Sequence, residues 1–161
     1  DVIEAISQSN SKPKLRVVGG LIPSRVDYFT KIKLLAKEKG VELETYPNAS
    51  REDLIRIVSS SRVFIHATRK EHFGIAVVEG MALGCPVIVH RSGGQYTDIT
   101  EKDKYGRSYE TVTELAKEMD FAYYDTNEWE RLHELSIKRC MEFDRSIFEA
   151  RVRKIVEELI G

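Results

Sequence analysis

Cysteine, proline and side-chain amides are scarce in this chain of 161 residues. The two cysteines, Cys85 and Cys140, stand far apart and without any Cys/His ligand spacing. That speaks against a disulfide framework or a zinc site and predicts reduced, buried thiols in a cytoplasmic protein. No secretory signal is read at the start, and the longest apolar run is broken by Glu79 and three glycines, so no membrane span is expected. Peripheral docking on the cytosolic face of a membrane is compatible with this. Neither charge sign is in excess: 25 Lys and Arg face 26 Asp and Glu, a formal net charge of −1, which gives no reason to expect a nucleic-acid partner. A Gly-x-Ser-x-Gly elbow, a Cys–His pair, a Walker loop and a Gly-x-Gly-x-x-Gly fingerprint are all missing. Acyl transfer, P-loop chemistry and dinucleotide binding of the NAD type are therefore without support.

What is present is a repeated alternation of strand and helix in a length that suits one domain with a sizeable core. Residues 2–8 read as the last turns of a helix. Leu15 to Gly20 is a buried strand ending in a glycine turn, Leu21 to Val26 a loop, and Asp27 to Lys39 an amphipathic helix stopped by Gly40. Val41 to Tyr46 alternates as a second strand. Ser50 caps the next helix with Asp53 at its third position, and that helix runs to the serines at 59–61. Arg62–Thr68 and 86–90 are two further strands, the latter closed by Gly93-Gly94. Short connections between such units imply a parallel sheet with right-handed crossovers. The last third reads as a short strand within 104–109, a helix capped by Thr111 with Glu114, and a tail of two helices near 126–143 and 146–160. Glu149, Arg153 and Glu157 charge-pair the last of these. The fold class is thus α/β, a parallel sheet with a helical C-terminal tail.

One stretch does not fit a plain core helix. Glu71-His72-Phe73-Gly74-Ile75-Ala76-Val77-Val78-Glu79 places two carboxylates eight positions apart in an otherwise apolar run. If a helix starts near Phe73–Gly74, Glu71 precedes it and Glu79 projects from its second turn, so both can face one cleft. The apolar neighbours predict a helix buried on most sides, where an unpaired carboxylate would cost several kcal/mol. Polyol hydroxyls would satisfy it, as would a place on a solvent-facing stripe. The N–H groups of Phe73, Gly74 and Ile75 would offer an anion site at the helix start. Gly19-Gly20 and Gly93-Gly94 offer similar concave edges at other strand ends. His72 is a candidate donor to a sugar hydroxyl or phosphate, His66 a candidate for orienting the loop, and Arg69 and Lys70 candidate diphosphate contacts. The histidines are equally well read as structural hydrogen-bonders, and exposed basic residues in a loop such as Arg69 and Lys70 are more often simply solvated. No set at metal-ligand spacing is seen, so neither metal nor other cofactor is expected.

These residues, continued by Gly80-Met81-Ala82-Leu83-Gly84-Cys85-Pro86-Val87-Ile88 and Ser92-Gly93-Gly94, closely resemble the donor-site signature of the retaining GT-B glycosyltransferases of family 4. Glu-His-Phe-Gly resembles in particular their dolichol-linked-oligosaccharide α-1,2-mannosyltransferase branch, many relatives having Gly in place of His72. The likeness covers about residues 2–125. It implies a Rossmann-like sheet with helices on both faces, the C-terminal half of a GT-B fold. It also implies that Glu71 contacts the transferred sugar as the catalytic carboxylate and that Glu79 holds the ribose. The 73–75 amides, His72, Gly19 and Gly20 would then surround the sugar and diphosphate, with the turn Tyr46-Pro47-Asn48-Ala49 beside the base. The donor would be a GDP- or UDP-hexose. The acceptor, a glycan or lipid-linked glycan, would sit on an N-terminal domain that the resemblance places outside this chain, together with the Arg and Lys that grip the diphosphate. The chain alone is accordingly expected to bind donor weakly and not to transfer sugar.

Two other readings differ in their consequences. A GT-B-like sugar-nucleotide epimerase would act on the donor without a separate acceptor. A flavodoxin-like signalling or interaction domain of the receiver type would want an acidic pair after its first strand and an Asp ending its third, where this chain has Gly19-Gly20 and Ala67-Thr68.

Overall fold

The computed structural model describes residues 1–160. Strands and helices follow one another as α1 (Val2–Gln8), β1 (Leu15–Gly19), α2 (Val26–Glu38), β2 (Leu43–Pro47), α3 (Arg51–Ser59), β3 (Phe64–His66), α4 (Ile75–Ala82), β4 (Val87–His90), β5 (Arg107–Tyr109), α5 (Val112–Tyr124), α6 (Thr126–Cys140) and α7 (Arg145–Ile160). Short 3-10 turns precede α2 and follow α6, and a π-helical turn covers Gln95–Ile99.

The sheet is covered on both sides, and β4 shows why. Its four residues are all buried, and successive strand side chains point to opposite faces. Ile88 joins a core made with Ile3, Ala5 and Ile6 of α1 and Leu115, Ala116 and Met119 of α5. Val87 and Val89 join Val77 and Met81 of α4 and Ile99. Each of the buried Val, Leu, Ile and Met side chains among these contributes about 1.5–3 kcal/mol. Gly80 lets α4 lie close on β3, since an added Cβ would stand 2.7 Å from the Phe64 ring.

Every strand pairing is parallel, but the pairings form two ladders, β1–β2 and β3–β4–β5, where the sequence predicts one sheet. The third strand is also three residues long rather than the seven of 62–68. Both its flanks are claimed by other elements: the Arg62 carbonyl accepts the Trp129 indole N–H at 2.7 Å, and the Thr68 carbonyl accepts Gln95 Nε2 at 2.6 Å. So short a strand gives its free edge little to pair. The second strand starts at Leu43, not Val41, because Val41 N–H donates to the Ala36 carbonyl past Gly40 (φ +66) and so closes α2.

The expected caps are present. Ser50 Oγ accepts from Asp53 N–H at 3.1 Å and Thr111 Oγ1 from Glu114 N–H at 3.2 Å. α7 is paired through Arg145–Glu149 and Lys154–Glu158 rather than through Glu149, Arg153 and Glu157, and none of its residues is buried. Both cysteines are free. Burial pushes the Cys85 thiol up to about 11, far from the thiolate a reactive cysteine needs, whereas Cys140 is only half-buried. Among the described residues no helix is long and apolar enough to cross a membrane.

Candidate functional site

Parallel strands deliver their carboxyl ends to one edge, where ligands of such sheets gather. At β1 that end is Gly19-Gly20, both exposed, with nothing within 4 Å of where a Cβ would be. At β2 it is the Pro47–Ala49 turn. Asn48, in the left-handed region (φ +56), ties the two ends together: its N–H donates to the Gly19 carbonyl and its Oδ1 accepts from Leu21 N–H, both at 2.9 Å. The Tyr46 hydroxyl is turned back along the strand and donates to Glu44 Oε2 at 2.9 Å.

The third strand end runs into the loop that carries Glu71, and the fourth holds that loop in place. Lys70 N–H donates to Ser92 Oγ at 2.8 Å. The Ser92 hydroxyl stands 2.8 Å from Nδ1 of His90 and can donate to it when that nitrogen is unprotonated. The neutral imidazole this needs is favoured, since burial and then the nearby Arg69 hold His90 below its ordinary value, with Arg91 adding to that and Glu110 opposing it. Gly94 N–H donates to the Glu71 carbonyl at 2.8 Å, and the buried Gln95 amide donates to the carbonyls of Thr68, His90 and Ser92. Gly93 and Gly94 are therefore not an open ligand edge, as their sequence suggests. A Cβ on Gly93 would collide with the Glu71 carbonyl and one on Gly94 with the His72 carbonyl, so the pair is the seat on which the loop lies.

On that seat, the Glu71 carboxylate accepts from His72 N–H at 3.0 Å and lies 3.4 Å from His66 Nε2. Gly74 begins α4 with φ +103, a conformation that leaves the amides of Phe73, Gly74 and Ile75 without an acceptor among the described residues. Helix N-terminal N–H groups of this kind suit an anion. The Phe73 ring packs edge-on against Phe143, centroids 5.5 Å apart. His72 and the Lys70 side chain are exposed. Arg69 is engaged with Asp1 at 3.0 Å.

α4 is not buried on most sides. Val77, Gly80 and Met81 face the core, but Ile75 is 70% exposed and the Glu79 side chain 38%. Glu79 avoids the penalty of an unpaired buried carboxylate both by this exposure and by an ion pair, its Oε1 accepting from Arg51 Nη1 at 2.6 Å. The structure thus places Glu71 and the 73–75 amides at the start of α4, with Glu79 one turn further along the same helix. Three contributors had no signal in the linear sequence: Arg51 from α3, the Gln95 clamp and the Phe143 support. No group of three or more His, Cys, Asp or Glu side chains able to hold a metal occurs among the described residues. A surface depression of about 740 Å³ lined by Lys117, Asp120, Phe121 and Tyr124 lies at the carboxyl end of α5, which runs away from the strand-end edge.

Comparison with known proteins gives three findings. The profile of the family described as glycosyl transferases group 1 matches residues 1–139. A GDP-Man:Man(3)GlcNAc(2)-PP-Dol alpha-1,2-mannosyltransferase of Xenopus laevis is 31% identical over 118 residues, 71% of this chain and 24% of that protein. A probable sucrose-phosphate synthase of Thermosipho melanesiensis is 32% identical over 114 residues, 68% of this chain and 26% of its own length. The chain therefore spans about a quarter of the curated relatives it matches. Among solved structures, Anabaena Alr3699/HepE in complex with UDP superposes with a TM-score of 0.83 at 20% identity, over 98% of this chain and 44% of that one, a likeness of fold.

Proposed function

Since this chain belongs to the glycosyl transferases of group 1, we propose that it is the nucleotide-sugar half of a retaining hexosyltransferase, using GDP-mannose or another GDP- or UDP-hexose. The observation that carries this reading is Glu71 beside amides that lack an acceptor at the start of α4, with Glu79 on the second turn of that helix. A diphosphate meets the helix N-terminus, where the N–H groups and the helix dipole favour negative charge. Glu79 accepts from the ribose hydroxyls. Glu71, held by His66 and the His72 amide, accepts from a hydroxyl of the sugar. Gly19-Gly20 leaves room for the phosphates, and the Asn48 turn lies beside the base.

In the reaction, the bond from the anomeric carbon to the diphosphate oxygen breaks as that carbon becomes oxocarbenium-like. The acceptor hydroxyl adds on the same face, and its proton passes to the departing phosphate oxygen. Donors fixed in advance at the leaving group lower this barrier without reorganising. The reading assigns that role to backbone amides and cationic side chains rather than to a metal ion. It also places the acceptor, a glycan or lipid-linked glycan, on a part of a longer protein, and predicts that this chain alone binds donor without transferring it.

Calorimetric titration of the chain with GDP-mannose, UDP-glucose, GDP and UDP tests the proposal. At least one nucleotide is expected to bind saturably in the micromolar to millimolar range, about −8 to −4 kcal/mol. Heats no larger than dilution for all four would sink it.

A further inference from the structure

Arg51 is the first residue of α3, directly after the turn that ends β2, yet its guanidinium reaches across to α4 and meets Glu79 Oε1 at 2.6 Å. This is not a stabilising device of any size, because the Arg51 side chain is 66% exposed and ion pairs at such exposed positions add little to stability. Its own first turn holds two carboxylates nearer in sequence, Glu52 and Asp53, of which Asp53 is committed to Ser50 and Arg56. Only one N–H of Arg51 has an acceptor among the described residues. The rest of the fork is open to solvent beside the carboxylate that the proposed function puts on the ribose.

We propose that Arg51 reads the nucleobase, steadying Glu79 on the ribose with one N–H and offering the remainder of its fork to O6 and N7 of guanine. The inference rests on the ribose assignment to Glu79. A base is joined to the ribose one carbon from the 2′-hydroxyl, so a cation in contact with the ribose-binding carboxylate stands on the base side of the site, as does the 47–49 turn that leads into Arg51. The preference for guanine follows from chemistry. Guanine presents two adjacent acceptors that match the planar guanidinium in bidentate fashion. Adenine sets an amino donor next to N7, and uracil offers one carbonyl beside a C–H. Glu79 gains from the same contact: one oxygen is held, and the other is left for a ribose hydroxyl.

The test is a competition titration of the unaltered chain and of Arg51→Met and Arg51→Lys with GDP, IDP, 7-deaza-GDP, ADP and UDP. The unaltered chain should bind GDP and IDP alike and prefer both to 7-deaza-GDP, ADP and UDP by about tenfold or more, the discrimination of one good bidentate contact. Arg51→Met should weaken GDP by about tenfold while moving UDP and 7-deaza-GDP less than threefold. Arg51→Lys, with charge but no fork, should fall between. An exposed side chain of this kind should leave the melting temperature within a few degrees, so a folded variant is available for the measurement. A UDP preference in the unaltered chain, or an Arg51→Met loss equal for all nucleotides, or tighter binding by that variant, overturns this inference and leaves the proposed function standing. No binding of any nucleotide by the unaltered chain overturns both.

Discussion

Gly93→Ala is expected to lower the melting temperature by about 5–15 °C and to weaken nucleotide binding together with it. Two costs combine. The residue sits at φ +71, where an L side chain costs about 1–2 kcal/mol. The new methyl would also meet the Glu71 carbonyl and stand 2.8 Å from the Glu71 nitrogen. Those are backbone atoms that cannot rotate away, and overpacking of this type costs about 1–3 kcal/mol. The sum, about 2–5 kcal/mol, corresponds to the stated shift for a domain near this size. Because the displaced segment carries Glu71 and leads into α4, the site should loosen as well. Gly20→Ala is the control: nothing lies within 4 Å of its added methyl, and its stability should change by about 0.5 kcal/mol or less. Thermal melts of the two variants, side by side, separate a seat from an open edge.

Glu79→Ala should show the opposite pattern, with a large loss of binding and almost no loss of stability. Its one side-chain partner among the described residues is the exposed Arg51, so the folded state forfeits about 0–1 kcal/mol. A nucleotide, however, loses the charged acceptor proposed for its ribose hydroxyls. Hydrogen bonds to charged groups contribute about 1.5–3 kcal/mol, hence a fall in affinity of about 10- to 150-fold. GDP titrated into the unaltered chain and the variant checks this. A 2′,3′-dideoxy nucleotide should bind the two proteins nearly alike, since it brings no hydroxyl to lose. Equal affinities for GDP would remove Glu79 from the ribose.

What could be read from the sequence divides along a physical line. Local devices were legible. The Ser50–Asp53 and Thr111–Glu114 caps are three-residue patterns, Gly40 and Gly74 mark turns at the ends of periodic runs, and the apolar fourth strand shows its double burial in composition alone. The placement of Glu71 before a helix and of Glu79 on it was legible because both fall in one segment whose helix start Gly74 marks. Contacts made by chain segments that meet only in three dimensions were not. Arg51 and Glu79 are 28 positions apart, and neither periodicity nor spacing couples them. Gln95 follows a glycine pair that looks like a phosphate turn, and only the folded loop shows that those glycines are occupied by the backbone of Glu71 and His72. The third strand failed for the same reason, its expected ends being claimed by Trp129 and Gln95 from elsewhere in the chain. The exposure of α4 also escaped the sequence, because an apolar run says how much surface is hydrophobic and not which part is covered.

The most direct measurement is a map of backbone amide shifts as GDP-mannose or UDP-glucose is added to the isotopically labelled chain. The account predicts saturable shifts concentrated at 19–20, 47–49, 51 and 71–79, the strand-end edge and the start of α4. Shifts confined instead to Lys117–Asn127, around the depression at the far end of α5, would contradict it.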